Sequence, residues 1–113
     1  MPRTHKYPYH PDIHARLIET AARGQTIYYS DVAGRGQVGD YLYRIAHEEH
    51  AAGRPPLTAV VVHKVGGKPG PGFLEAAKQV CFWQKGETAD QVWRRALADV
   101  YEYWRPKLTD DLH

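Results

Sequence analysis

The chain has 113 residues and a single cysteine, which suits one domain and excludes an internal disulfide framework or a cysteine-rich zinc site. Its 15 basic and 13 acidic side chains give a net charge of +2, too small by itself to indicate a nucleic-acid-binding protein. The sequence has no apolar run of about 18 residues and no apolar core of a signal peptide at its start. We therefore expect one globular, cytoplasmic domain without a membrane segment.

Three early prolines set the start of the chain apart. Pro2, Pro8 and Pro11 exclude a regular helix, so residues 1–11 are predicted to form an extended arm. Apolar residues then recur at helical spacing over residues 12–23, and a glycine follows them. That pattern predicts an amphipathic helix that ends at the glycine.

A short strand, a short helix and a long helix are predicted next. Residues 25–29 favour a strand, and Ser30 is a typical N-cap for a short helix over residues 31–33. The glycines at positions 34 and 36 predict a turn between the two helices. The long amphipathic helix is predicted over residues 38–52, where a glycine and two prolines end it.

The second half opens with the strongest strand signal in the sequence, over the mostly β-branched residues 58–63. The glycine- and proline-rich residues 66–72 predict a loop, and the lysines around it form a modest basic patch. Residues 73–80 are then predicted to form a short helix.

The C-terminal helix is the clearest of the predicted elements. Thr88 and Gln91 have the spacing of a capping box, and a broad apolar stripe follows them. Pro106 is expected to end this helix, because proline lacks an N–H and clashes with the preceding turn. We therefore predict one domain over residues 12–105 and a polar tail over residues 106–113.

The order of these elements indicates a fold class. Two helices around a tight turn, followed by a strand and a basic loop, are the plan of a winged helix-turn-helix. The sequence therefore predicts an α/β (α+β) domain that is winged helix-turn-helix-like, with a small sheet and an added C-terminal helix.

Two runs of sequence carry a family resemblance. Residues 24–33 are Gly-Gln-Thr-Ile-Tyr-Tyr-Ser-Asp-Val-Ala, beside the family pattern Gly-x-(Val/Thr)-x-(Thr/Ser)-Tyr-Gly-Asp-Ile-Ala. Residues 36–42 are Gly-Gln-Val-Gly-Asp-Tyr-Leu, beside Arg-Ala-Val-Gly-x-Ala-Leu, and a proline-rich turn with a valine strand follows at residues 54–62. On these motifs, residues 17–72 resemble the DNA-binding domain of the O6-alkylguanine-DNA alkyltransferases and the alkyltransferase-like proteins.

The sequence does not carry the catalytic residues of that family. Its nucleophilic cysteine lies in Pro-Cys-His-Arg-Val-Val, but Thr58 stands at the cysteine position, and Ala59 and Val60 replace the histidine and the arginine. A threonine without a base is a poor nucleophile, so the resemblance implies a scaffold without alkyl transfer and no catalytic residue. The family's intercalating arginine aligns with Gly36, and Arg35 lies one position away.

The helix-turn-helix interpretation predicts a set of nucleic-acid contacts. Arginine can read guanine with two hydrogen bonds and glutamine can read adenine, whereas lysines on a wing hold phosphates. The acidic residues of the helix predicted over residues 38–52 argue against DNA binding by that helix. The expected partner is nucleic acid, most simply duplex DNA, bound without a cofactor by a regulator or accessory factor. The candidate contact residues are Tyr29, Arg35, Gln37, Tyr41, Arg44, Lys64 and Lys68.

A second hypothesis rests on the aromatic stripe of the C-terminal helix. Trp93, Tyr101 and Trp104 share one face of that helix, and tryptophan and tyrosine are typical anchors of protein interfaces. The alternative function is therefore a protein-interaction adaptor, or a homodimer formed through this helix. An enzyme of unknown class is a further alternative.

Two other candidate features receive structural interpretations. His47 and His50 share a helix face, but their spacing is not that of the zinc motif His-Glu-x-x-His and no third ligand is evident, so no metal site is predicted. Cys81 lies between apolar residues and is interpreted as a buried core residue, because no base or cation accompanies it.

Overall fold

A computed structural model describes residues 8–32, 38–64 and 66–111 of the chain. Within those ranges the fold is α+β, with five α-helices and a small parallel sheet of two strands. In chain order the elements are α1 (Pro11–Ala22), β1 (Ile27–Tyr28), α2 (Tyr29–Val32), α3 (Val38–Ala51), a 3₁₀ helix (Leu57–Val60), β2 (Val61–Val62), α4 (Pro71–Gln79) and α5 (Ala89–Asp111).

The first helix begins and ends as its sequence dictates. The His10 side chain caps its start, because Nδ1 accepts a hydrogen bond from the N–H of Ile13 at 3.3 Å. Pro11 occupies the first helical position, where a missing N–H costs nothing. Gly24 follows the last turn with a φ of +68°, the left-handed conformation that glycine adopts readily. Pro11 therefore belongs to the helix and not to the predicted arm, of which residues 1–7 lie outside the described residues.

Two groups of buried side chains form the core. In the larger group the apolar face of α1, with Leu17 at its centre, packs against Ile45 of α3, Val61 of β2 and Val100 of α5. The smaller group joins Phe73 of α4 to the first half of α5. Helix α5 and the 3₁₀ helix contribute residues to both groups, and the contact of α5 with α1 is the most extensive between helices.

The strand predicted over residues 58–63 is mostly wrong. Leu57–Val60 forms a 3₁₀ helix, and only Val61–Val62 pairs with Ile27–Tyr28. A strand requires a neighbour for its backbone groups, and β1 offers only two residues. The β-branched side chains are nevertheless buried, which accounts for their apolar character.

In a winged helix, a strand after the wing loop pairs with the strand before it. The described residues contain no such strand after β2. The two strands are parallel, with Ile27 opposite Val61 and Tyr28 opposite Val62, and the loop after β2 leads into α4. The winged helix-turn-helix arrangement therefore stays a prediction, whereas the α+β class is shown.

The C-terminal helix continues past Pro106 to Asp111, so the predicted stop at Pro106 is wrong. Proline removes one donor, and the carbonyl that loses it belongs to Glu102, four residues earlier. Glu102 is exposed, so water replaces the missing hydrogen bond and the helix is not forced to end. Among the helices of the described ranges, none has the length and apolar character needed to cross a membrane.

Cys81 is exposed, so its interpretation as a core residue is wrong. It lies just beyond α4 with a φ of +60°, the only positive φ outside glycine among the described residues. Its N–H donates to the carbonyl of Lys78 at 3.1 Å, and the N–H of Phe82 donates to Ala77 at 2.9 Å. This is the Schellman ending of a helix, in which the left-handed residue points away from the core.

Candidate nucleic-acid interface

Tyr29, the first residue of α2, connects that helix to the loop that follows β2. Its hydroxyl oxygen accepts a hydrogen bond from the N–H of Gly70 at 3.3 Å, and its ring stacks on His63 with centroids 4.7 Å apart. A Cβ atom added to Gly70 would lie 2.8 Å from Nε2 of His63, closer than packing permits. A side chain at this position would therefore require the exposed His63 ring to move.

The docked loop closes on itself and carries two cations. The N–H of His63 donates to the carbonyl of Lys68 at 2.8 Å, and the N–H of Gly67 donates back to His63 at 3.2 Å. Lys64 and Lys68 are exposed. The Lys68 ammonium lies 3.8 Å from a carboxylate oxygen of Asp90, a loose pair whose side chains are both largely solvated. We refer to residues 63–70 as the basic loop.

A small cavity of about 30 Å³, enough for about one water molecule, lies beside the basic loop, between the starts of α3 and α4. Thr58 lines this cavity, is only 3% exposed, and has a hydroxyl group with no hydrogen-bond partner in the described part of the chain. A buried hydroxyl without a partner is costly, so this group is available to bind a ligand. The lining residues are Tyr29, Gly39, Leu42, Tyr43, Thr58, Gly72, Phe73 and Ala76.

The predicted contact residues divide into two groups in the structure. Tyr29 and the two lysines belong to the loop and cavity just described. Tyr41 and Arg44 contact the segment before α1 instead. The Tyr41 ring packs edge-on against His10 at 5.0 Å, and the Arg44 guanidinium lies 5.3 Å from the centre of the Tyr9 ring. The structure therefore does not bring these two residues to the basic loop.

Arg35 and Gln37 lie outside the described residues, in the connection between α2 and α3. The described residues on either side are Val32, which is buried at the end of α2, and the exposed Gly39 near the start of α3, which lines the cavity. The predicted contacts of these two side chains stay predictions.

The aromatic stripe of α5 packs inside the chain. Trp104 is buried in the larger core group, and Trp93 packs against the smaller one, where its Nε1 donates to the carbonyl of Ala59 at 2.9 Å. The hydroxyl of Tyr101 donates to the carbonyl of Gln25 at 3.0 Å. The stripe is rich in aromatic residues because α5 serves two core groups, and a partner protein is not needed to explain it.

The two histidines of α3 have different surroundings. His47 hydrogen-bonds through Nε2 to the side-chain oxygen of Gln79 at 2.9 Å, which joins α3 to α4, whereas His50 is exposed. Among the residues that the structure describes, no three histidine, cysteine or acidic side chains come together as metal ligands would.

Sequence reasoning missed a buried ionic cluster. Glu49 of α3 is fully buried, and its two oxygens accept hydrogen bonds from Nε of Arg54 at 2.6 Å and from Nη2 at 3.1 Å. Nε2 of His14 lies 2.5 Å from the same carboxylate, and Nδ1 of His14 lies 2.7 Å from the Tyr9 hydroxyl. The sequence signal was the position of Glu49 on the apolar side of the predicted helix, where a carboxylate needs partners.

The charge state of the cluster follows from its hydrogen bonds. Burial favours the neutral acid and by itself raises the pKa of Glu49. The hydrogen bonds from His14 and Arg54, together with the charge of the guanidinium, outweigh burial, so the pKa of Glu49 lies below its usual value and the group is ionised. The cluster fixes α1, α3 and the turn that leads to Thr58 in one arrangement.

Comparison of the chain with protein-family models, curated proteins and solved structures found no significant match.

Proposed function

We propose that this protein binds nucleic acid, without catalysing a reaction, at the end formed by α2, the basic loop and the cavity beside it. The observation that carries the proposal is the hydrogen bond between Tyr29 and Gly70, which holds a loop with two exposed lysines next to a cavity with an unpartnered hydroxyl. Lysines at such a position neutralise phosphates, which supply much of the affinity for nucleic acid.

The cavity suggests how the complex gains more than phosphate contacts. Its walls are mostly apolar and include the side chains of Tyr29 and Tyr43. The cavity has room for about one water molecule, so the buried Thr58 hydroxyl would reach a bound nucleic acid through a bridging water. We therefore propose duplex DNA as the partner, held mainly by phosphate contacts to the basic loop, in a cytoplasmic regulator or accessory factor.

The first test measures fluorescence anisotropy of labelled duplex and single-stranded probes of the same sequence at low salt. Replacing Lys64 and Lys68 together by alanine should weaken binding and reduce the slope of log affinity against log salt by about two, because two phosphate contacts are lost. The matched control replaces Lys78 and Lys85, two exposed lysines outside the basic loop, and changes the net charge equally. Absence of binding by the unaltered protein, or equal losses in both double variants, contradicts the proposal.

The second test separates the cavity from the lysines. Thr58→Val keeps the shape of the side chain and removes its hydroxyl, so it should weaken binding without changing the salt dependence. The loss expected for one hydrogen bond is about 1 kcal/mol, or roughly fivefold in affinity. Unchanged affinity would leave the basic loop as the binding site and remove the cavity from the proposal.

A further inference from the structure

Three side chains form a continuous hydrogen-bonded chain from the surface to the core, outside the proposed nucleic-acid site. The hydroxyl oxygen of Tyr9 lies 2.7 Å from Nδ1 of His14, and Nε2 of His14 lies 2.5 Å from a carboxylate oxygen of Glu49. The exposed fraction falls along the chain, from 42% at Tyr9 through 8% at His14 to 0% at Glu49. Tyr9 is therefore the member of this hydrogen-bonded chain that is most open to solution.

The carboxylate fixes the direction of these hydrogen bonds. Glu49 is ionised and also binds the guanidinium of Arg54, so its oxygens act only as acceptors. Nε2 of His14 must then carry a hydrogen and donate it to Glu49. In the neutral imidazole Nδ1 is consequently the free acceptor, and the hydroxyl of Tyr9 donates to it.

This is the arrangement of an activated nucleophile: a hydroxyl, a base in hydrogen-bond contact with it, and a buried carboxylate that orients the base. We propose that Tyr9 is a nucleophilic tyrosine that accepts an acyl group from an activated ester, with His14 as its general base. Glu49 is the positioning residue, since it acts through His14. The site is distinct from the proposed nucleic-acid interface and does not depend on it.

The group transfer balances with an activated ester as the co-reactant. The phenolic oxygen of Tyr9 forms a bond to the ester carbonyl carbon, and the phenolic proton moves to Nδ1 of His14. The bond between that carbon and the leaving oxygen then breaks, and the leaving group departs as the phenolate or alkoxide. The imidazolium formed at His14 lies against the Glu49 carboxylate, which stabilises its charge, and later returns the proton to solvent.

Other tyrosines of the described chain provide internal comparisons. Tyr28 is exposed to nearly the same extent as Tyr9, at 39% against 42%. Burial raises the pKa of Tyr29, although a hydrogen bond from Gly70 opposes it, and burial also raises the pKa of Tyr101. The phenols of Tyr29 and Tyr101 are therefore harder to ionise than an ordinary tyrosine. Tyr28 is the matched control for Tyr9, because the two residues are similarly exposed.

The experiment treats the folded, full-length protein with p-nitrophenyl acetate, quenches samples with acid at early times, and locates acetyl groups by peptide mass spectrometry. A positioned general base typically accelerates a reaction by about a hundredfold or more, so Tyr9 should be acetylated at least about tenfold faster than Tyr28. Tyr9→Phe should abolish the fast acetylation and leave the rate at Tyr28 unchanged.

Equal rates at Tyr9 and Tyr28 in the unaltered protein would overturn the proposal, and this comparison needs no variant. His14→Gln should lower the rate at Tyr9 to that at Tyr28 while circular dichroism confirms the fold. A folded His14→Gln protein that still acetylates Tyr9 rapidly would also overturn it. Neither outcome affects nucleic-acid binding, so the two proposals fail independently.

Discussion

The hydroxyl oxygen of Tyr29 and the backbone nitrogen of Gly70 lie 3.3 Å apart, although 41 positions separate them in the sequence. This hydrogen bond, with the stacking of Tyr29 on His63, attaches the basic loop to α2. A side chain at Gly70 would displace the His63 ring or the Tyr29 hydroxyl, and that constraint can be tested directly.

Gly70→Ala should destabilise the protein by about 1–3 kcal/mol, because the added methyl group would lie 2.8 Å from Nε2 of His63 and 3.1 Å from the Tyr29 hydroxyl. Urea denaturation measures the loss. Gly39→Ala is the matched control, since no neighbouring atom lies within 4 Å of a Cβ built there. It should be neutral or slightly stabilising, as alanine favours helix. Equal effects of the two substitutions would contradict the steric argument.

Thr58→Val should raise the free energy of unfolding by about 1 kcal/mol, because it removes a buried hydroxyl that has no partner in the described residues. Thermal and urea denaturation measure the gain. Thr58→Ala is the control, since it removes the same hydroxyl but leaves a small void and should lose the advantage. If Thr58→Val is destabilising, the hydroxyl has a partner in the protein and is not available to a ligand.

Glu49→Gln should destabilise the protein at pH 7 by about 3 kcal/mol, because Arg54 and His14 lose the buried carboxylate that they share. Glu48→Gln on the same helix is the control. Glu48 pairs with Arg44 at 3.4 Å with 39% of its side chain exposed, so its loss should cost less than about 1 kcal/mol. Similar costs for both substitutions would show that the buried cluster contributes no more than a surface pair.

The acid dependence of stability should also change in Glu49→Gln. The pKa of Glu49 lies below its ordinary value of 4.5 in the folded protein, so its stabilisation is complete above pH 4.5 and is lost as the pH falls further. Glu87, whose pKa Arg95 lowers to about 2, adds acid sensitivity that both proteins share. Urea denaturation at a series of pH values below 4.5 should therefore show a shallower decline for Glu49→Gln. Parallel curves would contradict the assignment.

Cys81→Gly should stabilise the protein by about 1 kcal/mol, because glycine adopts a φ of +60° without the steric cost that a Cβ atom brings. Cys81→Ser removes the thiol but keeps the Cβ atom, so it should show no gain. Denaturation under reducing conditions compares the three proteins. A stabilisation by serine equal to that by glycine would assign the effect to the thiol and not to the backbone.

The helices could be predicted from sequence because their signals are local. Apolar spacing gave Pro11–Ala22 and Val38–Ala51 to within a residue or two at each end. The strand failed because pairing depends on a distant neighbour, and only Ile27–Tyr28 is there to pair. Pro106 was read as a stop, but a helix end also depends on what replaces the lost hydrogen bond, which sequence does not show.

The site was less predictable than the fold. Tyr29 was identified from a motif, but its bond to Gly70 is a contact between remote segments. Tyr41 and Arg44 face the segment before α1, because two aromatic rings of that segment cover this side of α3. The partners of Glu49 come from α1 and from the turn after α3, so its place on the apolar side of α3 indicated a need for partners but not which residues supply them.

The close packing of α1 on α5 has a consequence for biosynthesis. The apolar face of α1 around Leu17 is covered by Val100 and Trp104, which are among the last described residues to be translated. A nascent chain therefore carries an uncovered amphipathic helix while the intervening residues emerge, and such surfaces invite chaperones or aggregation. The larger core group can therefore close only once α5 has left the ribosome.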